Sequence, residues 1–228
     1  MASRPDRRAV AVAATVIAAL VAAVLGLAAC GSGGSSGSAG SDGGTTKGTQ
    51  LEGLTRAEPL EVGDATLSEV APDGSSKPFT FKAPPGKLLF VAFGYTNCPD
   101  VCPTTLYDIK KARKLLGDQG DDVEVSFATV DPKRDTPKKL NDYLGSFAKD
   151  GHALRPSNDA ELKAAEQPFN VTSEVVTNAK GEVEVAHTAK SFVVDDQGRV
   201  LVEWAFGTGP EAMANDLQIL FDRIGTQK

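Results

Sequence analysis

The chain has 228 residues, 41% of them hydrophobic and 24% charged, with a formal net charge of -6. That length suits one ordinary domain plus appendages, and the acidic balance disfavours nucleic acid or a polybasic membrane contact. With three cysteines and two histidines, any thiol or metal chemistry must be built from very few side chains.

The chain opens on Arg4, Arg7 and Arg8, followed by an unbroken apolar stretch from Ala9 to Ala29. This is the layout of a signal peptide; the stretch is also long enough to span a bilayer, so an uncleaved anchor helix is the alternative. Leu27-Ala28-Ala29-Cys30 resembles the bacterial lipobox, in which small residues precede a cysteine that is lipid-modified and becomes the mature N-terminus. The expected product is a lipoprotein anchored through Cys30 at the extracytoplasmic face of the cell membrane. From Gly31 to Gln50 there are eight glycines and five serines, a composition that behaves as flexible coil with a reach of roughly 25 to 30 Å. The expected organisation is therefore a signal peptide over 1–29, the lipidated Cys30 and tether over 30–54, and one domain over 55–228.

Within that domain, short apolar groups between Leu60 and Lys82 alternate with Gly63-Asp64 and Pro72-Asp73-Gly74, which predicts an edge β-hairpin. Lys87 to Gly94 reads as a buried central strand, Thr104 to about Leu116 as a helix, and Val123 to Val130 as a second central strand. Asp135-Thr136-Pro137 starts another helix, to about Phe147, with Pro137 in its first turn and Thr136 or Asp135 as cap. His152 falls in the polar run Lys149-Asp150-Gly151-His152 and reads as an ordinary solvated loop side chain. A helix from Asp159 to about Gln167 follows. Val171–Val176 and Glu182–Ala186 then form strands about the turn Asn178-Ala179-Lys180-Gly181. Ser191–Val194 and Arg199–Trp204 pair around Asp195-Asp196-Gln197-Gly198, and Pro210 begins a last amphipathic helix whose Met213, Leu217, Leu220, Phe221 and Ile224 face a core.

Cys98 and Cys102 sit four residues apart between the first central strand and its helix, where the positive end of a helix stabilises thiolate, the nucleophilic and metal-binding form. A purely structural disulfide is a weak alternative, because so small a loop stabilises by only about 2 kcal/mol. The helix–strand order with a cysteine pair after the first central strand describes an α/β, thioredoxin-like fold: a central mixed sheet flanked by helices, with an extra N-terminal β-hairpin and a β-hairpin insertion carrying His187. In that layout His187 ends one strand, precedes another and can reach the first helix. Cys98, Cys102 and His187 would then make two thiolates and one imidazole, a set that favours copper; zinc would usually want a fourth ligand.

Phe93-Gly94-Tyr95-Thr96-Asn97-Cys98-Pro99-Asp100-Val101-Cys102-Pro103, Asp131-Pro132-Lys133-Arg134-Asp135-Thr136-Pro137 and His187-Thr188-Ala189-Lys190-Ser191-Phe192 together resemble the Sco/SenC family from about residue 55 onward. The resemblance implies a copper metallochaperone that assists assembly of the binuclear CuA centre in subunit II of cytochrome c oxidase. It implies Cys98, Cys102 and His187 as ligands of Cu(I) or Cu(II), and a Cys98–Cys102 disulfide as the oxidised form. It also marks Asp131 and Asp135, either as carboxylates orienting a ligand or as turn and cap residues. Another copper chaperone or a thiol reductant would be further partners. The family often has a histidine where this chain has Asn97, and an acidic residue where it has Ala186.

Three other readings compete. A thiol–disulfide oxidoreductase would use the same pair to reduce the oxidase cysteines before metallation. Against a general reductase, the spacing is C-x3-C rather than C-x2-C, and no proline occurs from Val171 to Gly209 to face the pair. A peroxidase would need an arginine beside the motif, and a redox or copper sensor would share the site without a delivery partner.

Overall fold

The computed structural model describes residues 50–225; the signal peptide, Cys30 and most of the proposed tether lie outside them. Nine strands and four α-helices follow in chain order: β1 (Thr66–Val70), β2 (Ser76–Thr80), β3 (Leu88–Gly94), α1 (Val101–Leu115), β4 (Val123–Thr129), α2 (Pro137–Gly145), β5 (His152–Arg155), α3 (Asp159–Glu166), β6 (Ser173–Thr177), β7 (Val183–His187), β8 (Lys190–Val194), β9 (Val200–Ala205) and α4 (Pro210–Gly225).

Seven strands form one sheet in the order β2-β1-β5-β4-β3-β8-β9. β3, β4 and β5 run parallel, while β1, β2, β8 and β9 complete the edges antiparallel. The sheet is mixed and thioredoxin-like, as the sequence implies. Every residue of β3 is buried, the mark of a strand covered on both faces. Its side chains alternate: Leu88, Phe90 and Ala92 enter the core under α1, α2 and α4, whereas Leu89, Val91 and Phe93 enter a second core with Phe81, Leu162 and Phe169. The period of two thus builds both layers from one strand.

The helix starts carry their own chemistry. Thr136 caps α2 by accepting from Lys139 N at 3.3 Å, with Pro137 as its first residue, and Asn158 caps α3 by accepting from Glu161 N at 2.9 Å. α1 begins at Val101, three residues earlier than the sequence suggests, so Cys102 lies inside its first turn.

Two other expectations need correction. The segment at His152 is a strand, not a solvated loop: the His152 side chain is half-buried between the carboxylates of Glu69 and Glu124, each at 3.2 Å, with the Phe79 ring 4.9 Å away. Its polar neighbours Lys149, Asp150 and Gly151 hide the pattern, because β5 is only four residues long. At the other end of the chain, residues expected to close the flexible tether are fastened to the domain: Leu54 pairs with Glu203 on β9, and the N–H groups of Glu52 and Gly53 donate to Asp216 on α4.

Candidate metal centre

The site is assembled by three pieces of chain that sequence distance separates. β3 ends at Gly94 and delivers Tyr95 to Cys98 to the sheet end; α1 begins there; and β7 returns His187 some eighty-five positions later. The thiol sulfurs of Cys98 and Cys102 and a ring nitrogen of His187 all lie within 4.8 Å of one another, and no other such group of His, Cys, Asp or Glu occurs among the described residues.

Local chemistry explains the thiols' placement. The first turn of a helix leaves backbone N–H groups without intrahelical acceptors, and the Asp100 side chain does not cap α1. The sulfur of Cys98 does so instead, accepting from Cys102 N at 3.3 Å. Pro103 in the same turn brings no N–H and so removes one donor that would otherwise need a partner. Gly94 matters equally: a Cβ there would meet Cys102 Sγ at 2.6 Å and the Phe127 ring at 2.9 Å. Only a glycine at the strand end lets α1 settle this close.

The two sulfurs differ. Cys98 is half-buried, whereas Cys102 is 3% exposed. Burial, followed by the hydrogen bond with Cys98, pushes the Cys102 thiol far above its ordinary range. The expected thiolate stabilisation by the helix end is therefore outweighed at Cys102 by loss of solvent. His187 Nδ1 lies 3.1 Å from the Thr188 carbonyl, and its Nε2 lies 3.9 Å from Cys102 Sγ. An Nδ1–H donating to that carbonyl leaves Nε2 with its lone pair toward the sulfurs. Burial also lowers the imidazole's proton affinity, favouring the neutral, ligating ring.

Asp131 and Asp135, the two carboxylates of the second motif, are both buried but serve different ends. Asp131 pairs with Arg134, and its carbonyl accepts from Arg134 N and Asp135 N, so it organises the turn after β4. Asp135 reaches across to the cysteine loop. Its carboxylate accepts from Thr96 N at 3.0 Å, from the Thr96 hydroxyl and from Thr129 Oγ1 at 2.6 Å, with Lys139 Nζ at 3.7 Å. It thereby pins the residue two before Cys98. Asn97 is exposed and accepts from Lys139 Nζ at 2.7 Å, and Ala186 is exposed.

Two tyrosines belong to the site that residue types alone do not identify. Tyr95 stands perpendicular to the His187 ring, with centroids 6.1 Å apart. Tyr143 on α2 holds a buried hydroxyl with no hydrogen-bond partner among the described residues. Its phenol is pushed up by burial and then by charge on Cys102 and Cys98. From outside, an open groove of about 570 Å³ lined by Thr172, Ser173, Glu174 and Thr188 reaches His187.

Soft sulfur donors with one imidazole suit copper ahead of hard ions. Metal–sulfur and metal–nitrogen bonds of about 2.0–2.3 Å would set neighbouring donors roughly 3.5–4 Å apart, and the Cys102–His187 separation of 3.9 Å fits.

Comparison with known proteins agrees with this architecture. The SCO1/SenC family model matches residues 71–222. An SCO2-like protein of Rickettsia prowazekii is 32% identical over 118 residues, covering 51% of this chain and 57% of the relative, so the chain spans under two thirds of that protein's length. Among solved structures, copper-bound ScoI of Bradyrhizobium japonicum is 33% identical, with a TM-score of 0.57, over 67% of this chain and 96% of that one. Apo Sco1 of Thermus thermophilus is 29% identical, with a TM-score of 0.58, over 78% of this chain and 98% of that one.

Proposed function

The chain belongs to the SCO1/SenC family, and from that membership we propose that it is a copper metallochaperone whose cargo is held by Cys98, Cys102 and His187. Tethered through a lipid on Cys30 to the extracytoplasmic face of the cell membrane, it would serve assembly of the CuA centre in subunit II of cytochrome c oxidase. The observation carrying this reading is the convergence of two sulfurs and one imidazole nitrogen within 4.8 Å; the copper bound to the Bradyrhizobium relative supports the choice of ion.

Each residue has a distinct part. Cys98, half-buried at the rim, is the sulfur that an incoming donor or acceptor thiolate meets first. Cys102 supplies the inner sulfur, and because burial holds its proton on, loading the site displaces that proton. His187 enters through Nε2, oriented by its bond to Thr188. A site of three ligands, open along one groove, leaves room for the ligand exchange by which a cargo ion passes to a partner.

A second reading rests on the unequal burial of the two thiols. Cys98, half-buried at a helix start, can attack a partner's disulfide, with Cys102 resolving the mixed disulfide, so reduction of the oxidase cysteines before metallation could use the same pair.

The test adds Cu(I) and Cu(II) to the reduced full chain carrying Cys30→Ser and follows binding and charge-transfer absorption. Cys98→Ala, Cys102→Ala and His187→Ala should each lose at least tenfold in affinity for one or both ions. Wild-type affinity for both ions in His187→Ala would sink the three-ligand model, and rapid reduction of generic disulfides by the copper-free chain would favour the second reading.

A further inference from the structure

His187 comes from an element that the main sheet does not hold. β6 and β7 form a separate two-stranded sheet, with backbone pairing only to each other in register. The imidazole is therefore aligned with the thiols by the short link into β8 and by the groups that meet the ring at the sheet end. The ring's neighbours there are Cys102 Sγ, the Thr188 carbonyl and the face-to-edge ring of Tyr95, at an interplanar angle of 89°.

Tyr95 links the cysteine loop to the histidine. Its carbonyl accepts from Cys98 N at 3.2 Å, closing the turn that presents the first sulfur. Its ring packs against both cores, on either side of β3. The Arg134 guanidinium lies 5.8 Å from the ring centroid, supporting it from the Asp131 turn. Burial, and then the charge of the two sulfurs, holds its phenol above the ordinary range.

We propose that Tyr95 is a positioning residue of this metal centre, its ring fixing the plane of His187. The ring acts through shape, so phenylalanine can replace it and an aliphatic side chain cannot. This deepens the copper reading and rests on it.

The test measures Cu(II) binding by the reduced full chain carrying Cys30→Ser. Tyr95→Phe should bind within threefold of wild type, while Tyr95→Leu should lose at least tenfold in affinity. Should Tyr95→Leu prove unfolded by circular dichroism, Tyr95→Met carries that comparison. Wild-type affinity in the folded aliphatic variant, or a loss in Tyr95→Phe as large as in that variant, would overturn the ring's role. Wild-type copper binding by His187→Ala would instead defeat the three-ligand reading, and with it the imidazole that the ring orients.

Discussion

Gly94 shows how strictly single atoms govern this site. The missing methyl is what allows Cys102 Sγ and the Phe127 ring to approach the strand end, both inside 3.0 Å of where a Cβ would sit. Gly94→Ala must push α1 outward or twist β3, and overpacking of this kind costs roughly 1–3 kcal/mol. The expected outcome is an unfolding free energy in urea lowered by that amount together with weaker copper binding, because the displaced atom is a proposed ligand. Unchanged stability and affinity would mean that the helix has slack the packing does not suggest. Asp135 illustrates the opposite case, a residue that never meets the sulfurs yet holds the chain beside them through Thr96.

Among the elements, the first turn of α1 presents the site, and the strap over residues 50–56 fastens β9 and α4. α1 offers the unpaired N–H of Cys102 to Cys98, so a proposed ligand sulfur doubles as a helix cap. The strap works at the far edge, through Asp216 on α4. That fully buried carboxylate accepts from Glu52 N at 2.7 Å, Gly53 N at 2.9 Å and the Trp204 indole at 2.8 Å. Asp216→Ala would strand three buried or part-buried donors, each costing about 1–3 kcal/mol. Hydrogen exchange should then show the Gly53 and Leu54 amides opening well before the β3 amides. Equal protection of these amides in variant and wild type would show that the Leu54–Glu203 bridge suffices alone.

At the scale of the whole molecule, charge ties the strap to the strand that leaves the site. Glu203 on β9 is buried and receives Arg56 from the strap and Lys190, the first residue of β8, at 3.1 Å. Burial by itself would raise its proton affinity, but the hydrogen bonds from Arg56 and Lys190 and the charges behind them hold it below the ordinary value. A carboxylate depressed in the folded state adds stability that is complete above its unfolded pKa of about 4.3 and fades as the pH falls through its folded value. Urea midpoints should therefore drop more steeply below about pH 4.5 in wild type than in Glu203→Gln, which is less stable at neutral pH. Parallel curves for the two proteins would show that other carboxylates control the acid limb.

Much of this was legible before any coordinates. Period and run length identified β3 and β4, Thr136-Pro137 marked a helix start, and the spacing of Cys98 and Cys102 after a buried strand pointed to a thiol site, because those signals are local and survive in any fold. His187 could be proposed as a partner only through topology and family resemblance. What the tertiary structure alone decided are the relations between distant segments. It set the burial that splits the two thiols, the strand that encloses His152 and the strap at Asp216. It also turned Asp135 toward Thr96, and placed Tyr95 against a histidine from a separate hairpin. Each depends on which surfaces exclude water and which chain segments meet, and neither property is carried by residue type or spacing.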